Sequence, residues 1–205
     1  MVMKRLTLFI NRFLHLFEMK RIKNRSKSVY LTFDDGPEPG ITEFVLDELK
    51  KYDFRATFFC RGDNAVSYKE LLERIVIEGH ALGNHTYSHY NSFDVTSKKY
   101  IEDVNRADIM LHSRLFRPPK GSLTLSSFMR LFRKYKIVYW SLLSGDAELD
   151  LFDRDKYSKH LINNTRSGDI VLFHFCHRHE NETRMLLPSY LHWLYINGYH
   201  SEIIK

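Results

Sequence analysis

The sequence predicts an α/β fold, a β/α barrel with mostly parallel strands. Two observations carry this prediction. Strand-like and helix-like segments alternate along the chain, which either a closed barrel or an open doubly wound sheet satisfies. Polar side chains also recur where the predicted strands end, and only a barrel gathers all of those ends at one rim. These polar residues are Asp34, Asp35, His85, Arg117, Asp146 and His174.

Each predicted strand is a short apolar or aromatic run that ends at glycine, proline or a polar residue. The first run, VYLTF, stops at two adjacent carboxylates, and the strongest later run is 137–143. The predicted strands are 29–33, 55–60, 79–84, a brief one around 116, 137–143, 170–173 and 199–204.

Each predicted helix shows apolar residues at helical spacing. In 68–78, for example, Leu71, Leu72, Ile75 and Val76 form one stripe. Ser97 is expected to cap the longest helix. The predicted helices are 42–52, 68–78, 97–112, 128–135, 156–163 and 185–196.

The overall composition is that of an ordinary globular protein. The 205 residues are 43% hydrophobic and 27% charged, which favours one domain with a sizeable core. The net charge of +6 favours anionic surroundings such as acidic glycans, phosphate or a membrane face. No nucleic-acid-binding module is recognisable, so nucleic acid is not an expected partner.

The first 28 residues form a basic and amphipathic extension before the main domain, 29–205. Apolar residues at 6, 9, 10, 13, 14 and 17 fall at helical spacing, but polar residues interrupt them and no small-residue cleavage site follows. The run is too short and polar to span a bilayer. A helix packed on the domain and cytoplasmic residence are expected. The alternative is peripheral contact of residues 4–17 with the inner face of the membrane.

The first strand ends at Asp34 and Asp35, and Gly36 and Pro37 then break the backbone. A turn here can bring both carboxylates into one cavity, where the repulsion between like charges favours a bound cation. An ordinary Asp-Gly-Pro turn explains the same residues equally well.

His85 and His89 lie four residues apart, which places them one turn apart if the segment is helical. Two imidazoles and one carboxylate from the first turn make a common metal-ligand set with positions left for water and substrate. A solvated loop pair is the alternative in a chain with 11 histidines.

The other close histidine pair and the two cysteines are not expected to bind a metal. His177 and His179 form a second close pair, which is interpreted as solvated. Cys60 and Cys176 offer neither a disulfide framework nor a metal-binding spacing, and Cys60 is expected in the core.

Five ordered motifs resemble the polysaccharide deacetylase family, the carbohydrate esterases that share a domain with chitooligosaccharide deacetylases. The similarity runs from residue 29 to 174, and the strand pattern extends it to the C-terminus. The motifs are TFDDGP at 32–37, HTYSH at 85–89, RPPKG at 117–121, the segment 140–146 and IVLFH at 170–174.

This resemblance implies a distorted, incomplete (β/α) barrel and metal-dependent removal of an acyl group from an N-acetylated sugar. The implied metal ligands of one divalent ion, usually Zn²⁺, are Asp35, His85 and His89. Asp34 would be the general base, held by Arg117, and His174 the general acid, oriented by Asp146. The implied substrate-binding residues are Pro119, Lys120, Gly121 and Leu172.

Three positions depart from the family pattern. Lys120 replaces an aromatic residue that would cover the sugar, Ala147 replaces a tryptophan near the acyl group, and Phe175 replaces a common aspartate. No proposed catalytic group is lost, so an active enzyme with an unusual substrate preference is expected. Lys120 and the net charge suggest an anionic or carrier-linked glycan, although a solvated lysine is the simpler interpretation.

Two other functions fit some of these residues. A catalytically weak, carbohydrate-binding relative would keep the fold, and metal content with acetate release separates it from an enzyme. A metal-dependent phosphoesterase also uses paired acids and histidines. It predicts two metals, whereas the sequence offers recognisable ligands for one.

Overall fold

One parallel sheet organises the protein. The structure is a computed structural model, and it describes residues 18–23, 26–148 and 152–205. Every strand-to-strand ladder in those residues is parallel. The strands are β1 (Glu18–Met19), β2 (Ser28–Asp34), β3 (Ala56–Cys60), β4 (Ala81–Asn84), β5 (Leu115–Phe116), β6 (Lys136–Val138), β7 (Leu142–Leu143), β8 (Ile170–His174) and β9 (His200–Ser201).

Helices connect most successive strands, as expected for parallel neighbours. Short 3-10 turns at Pro119–Gly121 and His177–His179 lie on the side of the molecule where β5 and β8 end. The helices are α1 (Ile41–Lys50), α2 (Gly62–Ser67), α3 (Lys69–Ile77), α4 (Ser97–Leu111), α5 (Leu125–Leu131), α6 (Arg154–Asn164) and α7 (Glu180–Ile196).

The sheet curls into an incomplete barrel. Its strand order is β1-β6-β5-β4-β3-β2-β8-β7, with β9 beside β2. Only three residues separate β6 from β7, yet β6 pairs with β5 and β7 pairs with β8. One extended stretch, 136–143, therefore runs from the strand next to one end of the sheet order to the strand at the other end, and it leaves β5 for β8 at a seam between them. The predicted distorted, incomplete (β/α) barrel is confirmed.

The core under the rim is aromatic. All seven residues of β2 are buried, and Phe33 stacks on Phe58 with ring centroids 5.1 Å apart. Phe175 is also fully buried, with its ring centroid 5.0 Å from that of Phe58. A Cβ added at Gly36 would lie 2.5 Å from the Phe175 ring, so Phe175 packs under the first turn. Phe175, which replaces the aspartate common in the family pattern, therefore changes the hydrophobic core beneath the site.

The observed elements differ from the predicted ones at a few places. The predicted strand 137–143 is split in two by the seam, and the closing strand is only His200–Ser201. α2 was not predicted. Thr96, not Ser97, caps α4, because its side chain accepts a hydrogen bond from Lys99 N at 3.3 Å.

The segment before residue 29 contributes to the sheet where it is described, since β1 pairs with β6 and Arg21 contacts Asp169. The predicted amphipathic helix and membrane contact of residues 4–17 lie outside the described residues. No helix in the described ranges has both the length and the apolar character needed to cross a membrane.

Candidate active site

A cleft of about 520 Å³ opens at the carboxyl ends of the strands. It collects most of the side chains that the sequence singled out, together with several that it did not. The residues lining it are Asp34, Asp35, Glu38, Arg61, His85, His89, Lys120, Gly121, Trp140, Ala147, Leu172, His174, Cys176, His177, Arg178 and His179.

Strand register brings the acids and His174 together. β2 lies between β3 and β8, and Asp34 is directly opposite His174 in the β2–β8 ladder. Asp35 follows with a φ of 83°, in the left-handed region, which turns the chain out of the strand. The two neighbouring carboxylates can therefore both face the cleft, as the sequence predicted.

Arg117 holds Asp34 from behind the cleft. Its Nη1 atom donates to Asp34 Oδ1 at 2.7 Å and to Thr32 Oγ1 at 2.9 Å. The same guanidinium donates to the carbonyls of Val138 at 3.2 Å and Tyr139 at 3.0 Å, which belong to the seam. Arg117 is fully buried, so its charge needs these partners. The Asp34 carboxylate is thereby held in a fixed orientation.

The segment that carries His85 and His89 is an irregular loop, and it is not a helix as the spacing argument assumed. Thr86 and His89 have positive φ values of 65° and 58°, which bend the loop so that both rings face Asp35. His85 Nδ1 lies 2.8 Å from the carbonyl oxygen of Arg117 and donates a hydrogen bond to it. That bond leaves His85 Nε2 with a free lone pair toward the cleft.

The three side chains fit a metal ion. His85 Nε2 and His89 Nε2 lie 3.4 and 3.0 Å from Asp35 Oδ1. Asp35 Oδ1 is buried and has no hydrogen-bond partner among the described residues. Zinc bond lengths and tetrahedral angles place neighbouring N and O ligands about 3.3 Å apart, close to these values. Burial by itself raises the pKa of Asp35, but the imidazoles hold it well below its usual range.

Asp103 and Asn84 fix this loop, and sequence reasoning missed both. Asp103, on α4, accepts hydrogen bonds from the backbone N–H groups of Tyr87 and Ser88, each at 2.9 Å. Asn84 accepts one from Thr86 N at 2.9 Å. Asp103 is buried on a helix that carries no motif, so its sequence position gave no signal.

His174 and Asp146 form a second buried pair. His174 Nδ1 lies 3.0 Å from Asp146 Oδ1, and His174 N donates to Asp146 Oδ2 at 2.6 Å. Burial by itself lowers the pKa of His174, but the Asp146 carboxylate outweighs it and raises the pKa to about 9. The ring is therefore protonated near neutral pH, and its Nε2–H is available to a substrate atom.

Asp146 is itself held by two hydroxyl groups that sequence reasoning did not identify. Ser144 Oγ donates to Asp146 Oδ1 at 2.7 Å, and Thr183 Oγ1, on α7, lies 2.9 Å from Oδ2. Asp146 is completely buried, and these bonds replace the water that burial removes.

Three of the four predicted substrate-binding residues line the cleft, namely Lys120, Gly121 and Leu172. Pro119 is buried in the 3-10 turn and is not among the lining residues. Gly121 packs so closely on Trp140 that an added Cβ would lie 2.8 Å from the indole. Trp140 thus gives the cleft an aromatic surface, although Lys120 replaces the aromatic residue of the family pattern.

The interpretation of His179 as a solvated loop histidine is wrong. Its ring is buried, with its centroid 4.7 Å from that of His174, whereas the neighbouring His177 side chain is 57% exposed. Cys176 is also buried and lines the cleft. Both residues lie in the turn after β8, close to the strand end that carries His174, so their position was a usable signal.

Comparison with known proteins places the chain in a family. The polysaccharide deacetylase family model matches residues 21–139. A peptidoglycan-N-acetylglucosamine deacetylase of Bacillus cereus is 33% identical over 71% of this chain and 55% of its own length. A chitooligosaccharide deacetylase of Azorhizobium caulinodans is 30% identical over 78% of this chain and 79% of its own. The chain thus spans about half the length of the first relative.

A solved structure gives the same result. The crystal structure of a peptidoglycan N-acetylglucosamine deacetylase, bound to an N-hydroxybenzamide, superposes with a TM-score of 0.85 and 27% identity, covering 92% of this chain and 91% of that one. Together with the five motifs, this agreement confirms the resemblance drawn from the sequence. The chain belongs to the polysaccharide deacetylase family, and its described fold is that of a carbohydrate deacetylase.

Proposed function

We propose that this protein is a metal-dependent hydrolase that removes acetyl groups from N-acetylated sugars of a glycan or glycan precursor. The observation that carries the proposal is the convergence of Asp35, His85 and His89 beside two further groups, Asp34 paired with Arg117 and His174 paired with Asp146. We further propose residues 29–205 as the catalytic domain and 1–28 as its extension.

Asp35, His85 and His89 would hold one divalent ion, and zinc is our choice because two imidazoles and one carboxylate suit it. Such an ion polarises a carbonyl and makes bound water nucleophilic near neutral pH. The fixed tautomer of His85 and the unpartnered Asp35 Oδ1 support this assignment.

Asp34 would act as the general base. Its Oδ1 is engaged by Arg117, while Oδ2 lies on the side of His85, 4.0 Å from Nε2. The free oxygen can thus accept a proton from water beside the metal ligands. Arg117 orients the carboxylate without itself lining the cleft.

His174 would act as the general acid. An amine is a poor leaving group, and the raised pKa of His174 keeps a proton available for it. Asp146, Ser144 and Thr183 act through His174 by fixing its ring and its charge. The proposed acid and base therefore stand directly opposite each other on adjacent strands, β8 and β2.

We propose N-acetylated glycan strands of the peptidoglycan or chitooligosaccharide type as the substrate class, because relatives at 30–33% identity carry those names. The reaction is tested by measuring acetate released from both glycans, before and after a chelator and after zinc is returned. Release that a chelator stops and zinc restores is expected. A purified protein that binds these glycans but releases no acetate is a binding relative and contradicts the proposal.

Lys120 is proposed to contact an anionic group of the substrate. It lines the cleft on an exposed turn with a φ of 58°. Lys120→Met should raise KM for an anionic glycan about fivefold, because a partly exposed charge contact contributes about 1 kcal/mol. KM for a neutral chitooligosaccharide should stay unchanged, and added salt should reduce the difference.

Lys98→Met is the matched control, since this lysine is 84% exposed on α4 and does not line the cleft. Equal KM changes on the anionic and neutral glycans with Lys120→Met would show that Lys120 acts by packing.

Cytoplasmic residence, and contact of residues 4–17 with the inner membrane face, stay predictions. They fit a carrier-linked precursor as the substrate.

A further inference from the structure

A second group of metal-ligand side chains lies in the same cleft, on the far side of Asp35. Asp35, Cys176 and His179 each offer a ligand atom, and these atoms lie within 4.8 Å of one another. The two sets share Asp35 but use different faces of it. Oδ1 faces His85 and His89, whereas Oδ2 lies 4.0 Å from Cys176 Sγ.

The burial of these side chains points to a ligand. Cys176 is 6% exposed and His179 is 7% exposed, yet both line the cleft. His179 Nδ1 is buried and has no hydrogen-bond partner in the ranges that the structure describes. A buried imidazole nitrogen without a partner is costly, and a metal ion would satisfy it.

The distances fit a soft or borderline cation. Zinc–sulfur and zinc–oxygen bond lengths with tetrahedral angles place S and O about 3.5 Å apart, within half an ångström of the observed separation. Thiolate, imidazole and carboxylate together select Zn²⁺ or Co²⁺ over Mg²⁺ or Ca²⁺.

We propose that Asp35, Cys176 and His179 form a second metal site, bridged to the first by the Asp35 carboxylate, whose occupation by zinc inhibits the enzyme. Binding at this site releases the Cys176 thiol proton to solvent. The inhibitory part rests on the proposed function. It follows from position, because the His179 ring centroid lies 4.7 Å from that of His174 and both rings line the same cleft, so an ion held by Cys176 and His179 would occupy the space beside the proposed acid where the leaving group must fit.

Cobalt titration of the metal-free protein tests the site without any substrate. A thiolate-to-cobalt charge-transfer band in the near ultraviolet should appear in the wild type, with one equivalent of Co²⁺ bound beyond the first. The band should disappear in Cys176→Ala and persist in Cys60→Ala, the matched control, because Cys60 is buried in the core. His85→Ala should lose the first equivalent and keep the band.

Activity provides the second measurement. Zinc should first raise acetate release and then lower it at higher concentration, and Cys176→Ala should lose the falling phase relative to its own maximum. Absence of the band at saturating cobalt, or its persistence in Cys176→Ala, overturns the site. If the protein shows the band but never releases acetate, the second site is supported and the proposed function is contradicted. If zinc still inhibits Cys176→Ala, only the inhibitory role of the site is contradicted.

Discussion

Replacing His85 by alanine is expected to remove the metal ion held by Asp35, His85 and His89 and the deacetylase activity together. His85 supplies a buried nitrogen whose tautomer is set by the Arg117 carbonyl, and alanine offers no ligand atom in its place. Activity should fall by about a hundredfold or more, because water is no longer activated near neutral pH. Metal content after gel filtration and acetate release are measured on the same preparation.

The matched control is His160→Ala, since His160 is exposed on α6 and lies outside the cleft. It should keep wild-type metal content and turnover. Full activity in chelator-treated, metal-free wild-type protein is the result that rules out the metal assignment altogether.

Asp34→Asn and Asp35→Asn should separate base catalysis from metal binding. The two acids are adjacent, so each of the two Asp→Asn variants serves as the control for the other. Asp35→Asn should weaken metal affinity, because the ligand oxygen of Asp35 that faces His85 and His89 loses its charge. Asp34→Asn should keep the ion and lower kcat by roughly a hundredfold or more, because an amide cannot accept the proton. Calorimetric zinc binding and acetate release distinguish the two outcomes.

Asp34→Asn should also lower stability. The amide oxygen can still accept from Arg117, but it leaves a fully buried guanidinium without its counter-charge. Removing one partner of a buried ion pair costs roughly 3–5 kcal/mol, and the retained hydrogen bond should keep the loss at or below that range. Loss of metal in Asp34→Asn but not in Asp35→Asn would mean that their roles are reversed.

The sequence predicted the rim because of how a parallel barrel is built. Asp34, His85, Arg117 and His174 each end a strand or directly follow one, and strand ends meet wherever the strands are parallel. The order of elements was therefore enough to expect these side chains in one place. It was not enough to predict the seam, because the run 137–143 is continuous in sequence and changes partner only in space.

Residues that support the site were harder to find. Asp103, Ser144 and Thr183 act through backbone or carboxylate groups brought near by tertiary packing, and each is an ordinary polar residue locally. The helical spacing of His85 and His89 was also misleading. Their convergence depends on a left-handed backbone conformation at Thr86 and His89, which neither residue type predicts.

Arg117 ties the site to the architecture of the sheet. One planar guanidinium donates hydrogen bonds to the carboxylate of the proposed base and to two carbonyls of the stretch that links β6 to β7 across the seam. Lysine would keep the charge, but a point charge cannot satisfy such a divergent set of acceptors. Substitution of Arg117 is therefore constrained by two separate functions of the side chain. Both the thermal stability of the sheet and the turnover of the enzyme depend on this one residue.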